Sequence, residues 1–322
     1  MKIFIVDMLG CRKPYLGYQI ESAFKQLKHE TKTFDYRAFK FQHLPLTNFL
    51  LNKLMVLQAK SWKPDLVVVN KGESILRGTI SDIKKEGIKT VNWNPDEPFG
   101  LLQAFNKIQN LEEYDACFNY DTQYIEPMKE INPNSYHLPP GADPSYVHKE
   151  QIPLKQRRYP ADICMVGTAY PNRISLLSKL ERYTMKVAGP GWDKAPRNIS
   201  ENSLPYVDNI EMVRLFNESK IVLNPYGSSK NFICPNPRTF EIPASRSFEL
   251  TDMPRETKKY FTPKKEFVVY RDEKEFVELV EYYTENKEER EKIAEAGYKR
   301  VLKEHTMKHR VKSLLGTLKR SD

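Results

Sequence analysis

Arg238 and Glu241 stand three residues apart in Asn236-Pro-Arg-Thr-Phe-Glu-Ile-Pro-Ala-Ser245, inside a helix-like apolar pattern. The stretch follows a short apolar strand, Lys220-Ile-Val-Leu-Asn224, and a loop rich in Gly, Ser, Asn and Pro. An arginine can hold a diphosphate through two parallel hydrogen bonds, and a carboxylate can accept both hydroxyls of a ribose 2′,3′-diol. Residues three apart on a helix point to neighbouring sides, so the same spacing equally suits a structural salt bridge. Phe240, Ile242 and Ala244 supply an apolar flank to anchor the helix.

Val166-Gly167-Thr168 closes another expected strand, with Arg173 just inside the next helix. A glycine after a strand allows close backbone approach, and an arginine adds a forked donor for phosphate. The alternative is a tight turn with a surface arginine. The Gly-x-Gly-x-x-Gly dinucleotide pattern and the Walker lysine loop are both absent, which lowers NAD and ATP-hydrolysis readings. Asp96 and Glu97, in Trp93-Asn-Pro-Asp-Glu-Pro-Phe99, follow a strand and are pinned by prolines. They could orient an acceptor hydroxyl, or Asp96 could act as a base; helix capping is the competing role. Lys71, Glu73 and Ser74 after the 66–69 strand carry the same ambiguity, whereas Asp121 reads as a cap and Asp143 as a turn former. His305 and His309 lie in a Lys/Arg-rich segment and read as a solvated basic helix face. No histidine or cysteine cluster has metal-ligand spacing.

These residues need a scaffold of alternating strands and helices. Expected strands at 2–6, 66–69, 89–93 and 115–119 alternate with helical patterns at 16–27, 78–86 and 121–131. A second series runs through strands at 161–166, 185–188, 220–223 and 267–270 and helices at 173–182 and 209–217. The tail, roughly 273–319, is helical and charged, with Gly297 and Gly316 as candidate breaks. Such alternation predicts an α/β fold: two Rossmann-like parallel sheets facing across a cleft, with ligands beyond the carboxyl ends of the strands. The Pro-, Gly- and charge-rich segment 139–160 marks the boundary. The expected division is 1–150, 151–300 and a helical segment 301–322. At 322 residues, with 18 tyrosines and 16 phenylalanines, the chain can build two cores. A net charge of +9 favours anionic partners without choosing among them. The start is too soon acidic for a signal peptide, and no apolar run approaches the roughly 20 residues of a membrane span. The four dispersed cysteines suit a reducing cytosol.

The combined pattern resembles the glycosyltransferase-like family typified by spore maturation protein CgeB, within the two-domain GT-B glycosyltransferases. The carrying residues are Pro237–Ser245 continuing to Leu250-Thr-Asp252, Tyr260-Phe-Thr-Pro263, Glu266–Asp272 and the tail Glu289–Tyr298 through Val311. Leu138-Pro-Pro-Gly-Ala-Asp-Pro144 and the Val166-Gly-Thr168 loop match as well. The resemblance implies a second domain that binds a nucleoside-diphosphate sugar, a first domain that binds the acceptor, and a last helix that crosses back to the first. It assigns Glu241 to the donor ribose and Arg238 to the diphosphate, with Thr239 beside them and Gly167-Thr168 beneath. It also implies metal-independent transfer with retention, and a UDP sugar ahead of dTDP or GDP sugars.

One departure stands out. Retaining relatives often carry two glutamates separated by seven residues. Glu241 and Glu249 have that spacing, but Ala244-Ser-Arg-Ser-Phe248 takes the place of the Ala-Cys-Gly run that follows the second glutamate. Glu241 is then the second member, and Ile233 occupies the place of the first. Asn231, Asn236 or a backbone group is left to contact the sugar. The expectation is a glycosyltransferase using Arg238, Arg173 and Asp96. The alternatives are a GT-B protein that binds nucleotide or glycan without transfer, and a nucleotide-sugar epimerase. No stable nucleic-acid complex is expected.

Overall fold

A computed structural model describes residues 1–7, 16–36, 44–101, 107–147, 154–226, 233–252 and 256–320. The chain forms two units, 1–140 with 307–322, and 141–306. The first unit holds β1 (Lys2–Asp7), α1 (Leu16–Gln26), β2 (Glu30–Asp35), α2 (Pro45–Trp62), β3 (Leu66–Asn70), α3 (Thr79–Lys84), β4 (Lys89–Asn94), β5 (Ala116–Asn119), α4 (Ile125–Lys129) and β6 (Ser135–His137). The second holds β7 (Ala161–Val166), α5 (Pro171–Leu177), β8 (Met185–Ala188), α6 (Arg197–Ser200), β9 (Ser203–Leu204), α7 (Asn209–Glu218), β10 (Ser219–Leu223), α8 (Arg238–Ala244), β11 (Glu249–Thr251), β12 (Val268–Val269), α9 (Glu273–Glu285) and α10 (Lys287–Arg300). The last helix, α11 (Met307–Leu318), belongs to the first unit.

Each unit is built on a parallel sheet of six strands, ordered β2-β1-β3-β4-β5-β6 and β12-β11-β10-β7-β8-β9. In the first, Ile3, Ile5, Val68, Val91 and Phe118 form one buried face beneath Ile20, Ala23 and Phe24 of α1. Met307, Val311, Leu314 and Leu318 of α11 complete that cluster, and α11 packs on α1. The Leu66–Val69 run is buried on both faces, as a central parallel strand requires. β2, by contrast, is a polar edge strand in which only Phe34 is buried.

In the second sheet alternate side chains serve opposite faces. Ile163, Met165, Ile221, Leu223 and Leu250 pack with Leu176, Leu177, Phe276 and Val280. Cys164 and Val222 pack with Met212, Phe216, Phe240 and Val301. Helices therefore cover both faces. Asp208 and Asp272 fix the starts of α7 and α9 by accepting from Glu211 N–H and Glu275 N–H, each at 2.9 Å.

Two expectations for the tail need correction. His305 is buried rather than solvated: its Nε2 sits 2.9 Å from the Tyr260 carbonyl and its ring packs against Phe240, Tyr260 and Phe261. It is separated from His309 by the break between a π-helical turn, Val301–His305, and α11. Gly297 and Gly316 do not break helices but lie within α10 and α11. At Gly297 an added Cβ would come 2.5 Å from the Glu266 carbonyl oxygen, so glycine there permits close packing.

Candidate functional site

The second sheet reverses its direction of growth between β7 and β10, since β8 and β9 extend one way and β11 and β12 the other. The carboxyl ends of two such strands diverge and leave a crevice for ligands. Gly167 and Thr168 stand at the end of β7. Gly167 N–H donates to the Ala188 carbonyl at 2.8 Å, and Trp192 Nε1 donates to the Gly167 carbonyl at 2.7 Å. Gly189, at φ +125°, faces that same carbonyl so closely that a Cβ would lie 2.4 Å from it. The loop beneath the crevice is thereby tied to the loop after β8.

Arg173 joins the two sides of the reversal. Its Nη1 donates to the Thr168 carbonyl after β7, and its Nε to the Pro225 carbonyl after β10, both at 2.9 Å. Its guanidinium lies over the Tyr170 ring. Burial pushes Arg173 below its ordinary value, Tyr170 and Asp252 oppose the shift, and the neighbouring positive charge of Arg238 adds to it. Two guanidinium groups thus share one electrostatic neighbourhood.

Arg238 opens α8. Its Nε donates to the Val166 carbonyl at 3.3 Å, and its Nη1 is hydrogen-bonded to Glu241 Oε2. Glu241 is buried, while the Arg238 side chain is about a third exposed, 31%. The ion pair that the spacing allowed is therefore formed, and it leaves part of each group over. Among the described residues neither arginine has a protein partner at Nη2, and Glu241 has none at Oε1. The pair can hold itself together and still offer a donor and an acceptor to a ligand.

Behind these groups lies a network that residue types alone did not reveal. Asn224 Nδ2 donates to Glu249 Oε1 at 2.7 Å, and to Thr239 Oγ1 and Asn236 Oδ1 at 3.2 Å each. Asn236 Nδ2 returns a bond to Asn224 Oδ1 at 3.0 Å, and Asn236 N–H donates to the Tyr226 hydroxyl at 2.5 Å. Tyr226 N–H donates to Asp252 Oδ1 at 2.6 Å. The network locks the segment after β10 to the start of α8, which places Arg238 and Glu241. Burial raises Glu249 to about 8, against the Asn224 hydrogen bond, and raises Asp252 as well, against Tyr226 N–H and Arg173. Thr239 serves this network. Asn231 lies outside the described residues.

The remaining candidates belong to the first unit or to turns. Asp96 pairs with Lys71 Nζ at 2.5 Å, and its carbonyl accepts from Asn94 and Asn119 at 2.9 Å each. Lys71 itself has φ +62°. Glu97 is buried and accepts from Phe99 N–H at 2.5 Å. Asp121 accepts from Gln123 N–H at 3.0 Å, and Asp143 from Ser145 N–H and Oγ. His137 ends β6 and Glu73 accepts from the Tyr36 hydroxyl. At the reversal of the first sheet, between β1 and β3, Asn70 Nδ2 donates to the buried Asp7 Oδ1 at 2.9 Å, a pair not singled out from sequence.

Among the described residues no group of three or more His, Cys, Asp or Glu could hold a metal ion. A hollow of about 680 Å³ lies at the opposite, amino ends of the second sheet, lined by Arg157, Asp162, Lys220, Arg246 and Lys287. Several of its charges are already paired, Lys220 with Asp162 at 2.8 Å and Arg246 with Glu295.

Comparison with known proteins matches residues 173–316 to the family described as Glycosyl transferase-like. The chain is 23% identical over 270 residues to Spore protein CgeB of Bacillus subtilis (strain 168), covering 76% of this chain and 80% of that protein. Among solved structures it is similar to Anabaena Alr3699/HepE in complex with UDP-glucose (12% identity, TM-score 0.66, covering 99% of this chain and 100% of that one). A proposed UDP-N-acetylglucosamine 2-epimerase from Listeria monocytogenes is also similar (12% identity, TM-score 0.60, covering 99% and 95%). Two parallel-sheet units with these matches give the chain the GT-B fold and a relationship to CgeB-like and other glycosyltransferase families.

Proposed function

We propose that this chain is a glycosyltransferase that moves a sugar from a nucleoside-diphosphate sugar to an acceptor hydroxyl. The supporting observation is the grouping of Arg173, Arg238 and Glu241 at the reversal of the second sheet, with Nη2 and Oε1 atoms that have no partner among the described residues. In this reading the acceptor oxygen bonds to the anomeric carbon as the bond from that carbon to the β-phosphate oxygen breaks. The electron pair leaves on the diphosphate, and the two guanidinium groups offset its growing charge. The acceptor proton passes to the departing phosphate in a retaining reaction, or to Asp96 if that carboxylate serves as base. Glu241 Oε1 accepts from the donor ribose, and Gly167-Thr168 lies under the phosphates. Positive side chains take the part that a metal plays elsewhere. The UDP-glucose complex of a protein with the same fold favours a UDP sugar.

Calorimetry with UDP and a sugar-transfer assay test the reading. Glu241→Ala is expected to weaken UDP binding about 10- to 100-fold, the worth of hydrogen bonds to a charged group. Arg238→Ala is expected to lower turnover about 100-fold. Unchanged UDP affinity in Glu241→Ala removes the ribose role. The similarity to the Listeria protein keeps an epimerase as the second reading. Isomer formation from the donor alone, with no acceptor, would establish it in place of transfer.

A further inference from the structure

The hollow at the amino ends of the second sheet holds basic groups that the protein's own acids do not use. Strands β7 and β10 begin in it, and residues 246–248, between α8 and β11, wall it. All of its lining belongs to the second unit. That lining carries five basic side chains, Arg157, Lys220, Arg246, Lys287 and Arg290, against three acids, Asp162, Glu218 and Glu291. Each acid is already engaged. Asp162 lies 2.8 Å from Lys220 Nζ and accepts from Thr184 N–H at 3.0 Å and Thr184 Oγ1 at 2.7 Å. The Glu218 side chain is fully covered; it accepts from Tyr159 N–H and stands 3.9 Å from Arg214 Nε. Glu291 sits 3.7 Å from Lys287 on an exposed rim, and Arg246 pairs with Glu295, which lies outside the lining. Arg157 and Arg290 remain, and among the described residues neither has a carboxylate within ion-pair reach.

Arg290 is only 9% exposed. Its Nη1 donates to the Tyr283 carbonyl and, at 3.2 Å, to the Thr284 carbonyl in the last turn of α9, which fixes the plane of the guanidinium. Nε and Nη2 share the side edge of that plane. Among the described residues they have no partner, and they are not enclosed, so the edge opens on the hollow that Arg290 lines. Burial pushes Arg290 below its ordinary value, with Glu291, Glu285 and Asp162 opposing through space. A guanidinium stripped of water gains most from an anion that restores its hydrogen bonds. Two parallel N–H groups on one edge are the fork that a phosphate or carboxylate fills. Arg157 adds a second cation, and its Nε is enclosed with no partner among the described residues.

We propose that this hollow is a second ligand site, which takes the phosphate group of a small molecule on the Nε–Nη2 edge of Arg290, with Arg157 adding charge. Two cations in surplus match a phosphate dianion better than a single carboxylate. The hollow, about 680 Å³, falls within the range of small-molecule sites and has room for an organic part beside the phosphate. The site does not rest on the transferase reading, because Arg173, Arg238 and Glu241 stand at the opposite ends of the strands.

Calorimetric titration of the full chain with inorganic phosphate and with glycerol 3-phosphate, at fixed ionic strength, tests it. Saturable binding is expected. Arg290→Lys keeps the charge and loses the fork, and Arg157→Ala removes the second cation. Each is expected to weaken binding about tenfold, the low end for a hydrogen bond to a charged group. Arg238→Ala, in the crevice, is expected to leave that binding in place. Arg157→Ala breaks no hydrogen bond or ion pair among the described residues and should melt no lower than the wild type, so it decides the matter even if Arg290→Lys folds poorly. Tighter binding of glycerol 3-phosphate supports the site with an ester as its ligand; tighter binding of inorganic phosphate supports it with the free ion. No saturable binding of either, or binding that Arg157→Ala leaves unchanged, overturns the inference. So does binding that Arg238→Ala abolishes, since the phosphate would then sit in the crevice.

Discussion

Replacing Glu249 by glutamine isolates the cost of a carboxyl group held inside the second unit. Its Oε1 accepts from Asn224 Nδ2 at 2.7 Å, and among the described residues Oε2 has no hydrogen-bond partner and no positive side chain is among the causes of its shift. Burial therefore raises it from 4.5 to about 8. A raised folded-state value means that the native protein binds a proton that the unfolded chain releases. The associated stability is complete below pH 4.5 and is lost as pH rises toward about 8. Each pH unit within that window removes about 1.4 kcal/mol, so going from about pH 5.5 to about pH 7.5 should cost about 3 kcal/mol. Glu249→Gln keeps the acceptor for Asn224 and removes the proton. Both versions leave one buried polar group unpaired, so that constant penalty cancels in the comparison. Urea unfolding of both proteins at the two pH values reads the difference. The wild type should lose about 3 kcal/mol more than the variant. Parallel losses would mean that Glu249 is ionised in the folded protein, and the account of a neutral buried acid would fall.

Three further perturbations probe the same framework. Gly189→Ala places a Cβ 2.4 Å from the Gly167 carbonyl oxygen at a φ of +125°, and should lower stability by about 2 kcal/mol or more in thermal or urea melts. Trp192→Phe removes the 2.7 Å bond to the Gly167 carbonyl and should cost about 1 kcal/mol, with weaker UDP binding by calorimetry if the loop beneath the crevice loosens. Gly316→Ala meets open space within α11 and should raise stability by about 0.5–1 kcal/mol, read as a higher melting temperature.

The elements readable from sequence were those with one dominant signal. Leu66–Val69 is a continuous apolar strand, Ala161–Val166 is apolar but for Asp162, and α7 has a buried stripe behind a capping aspartate. β2 escaped notice because an edge strand needs few apolar side chains, and α2 because residues apolar on both sides have no period to detect. The three-residue β11 begins with an acid and gives no strand signal at all. Gly167, Arg173, Arg238 and Glu241 could be singled out because their chemistry is visible in residue type and in position after a strand. Asn224, Tyr226 and Asp252 could not, and Asn236 and Glu249 drew notice only for other roles. Their part depends on hydrogen bonds between segments brought together by folding, and nothing in their local spacing announces it.

The placement of α11 has a consequence for synthesis on the ribosome. Residues 1–140 emerge early, yet Met307, Val311, Leu314 and Leu318 finish the hydrophobic cluster over α1. That cluster stays open to water until Met307–Leu318 is translated. Gly141–Thr306, whose two ends meet where Ala142 N–H donates to the His305 carbonyl at 3.2 Å, can mature in the meantime as an inserted module. A premature stop just past residue 306 would therefore injure the unit begun at residues 1–140 and spare the one inserted after it.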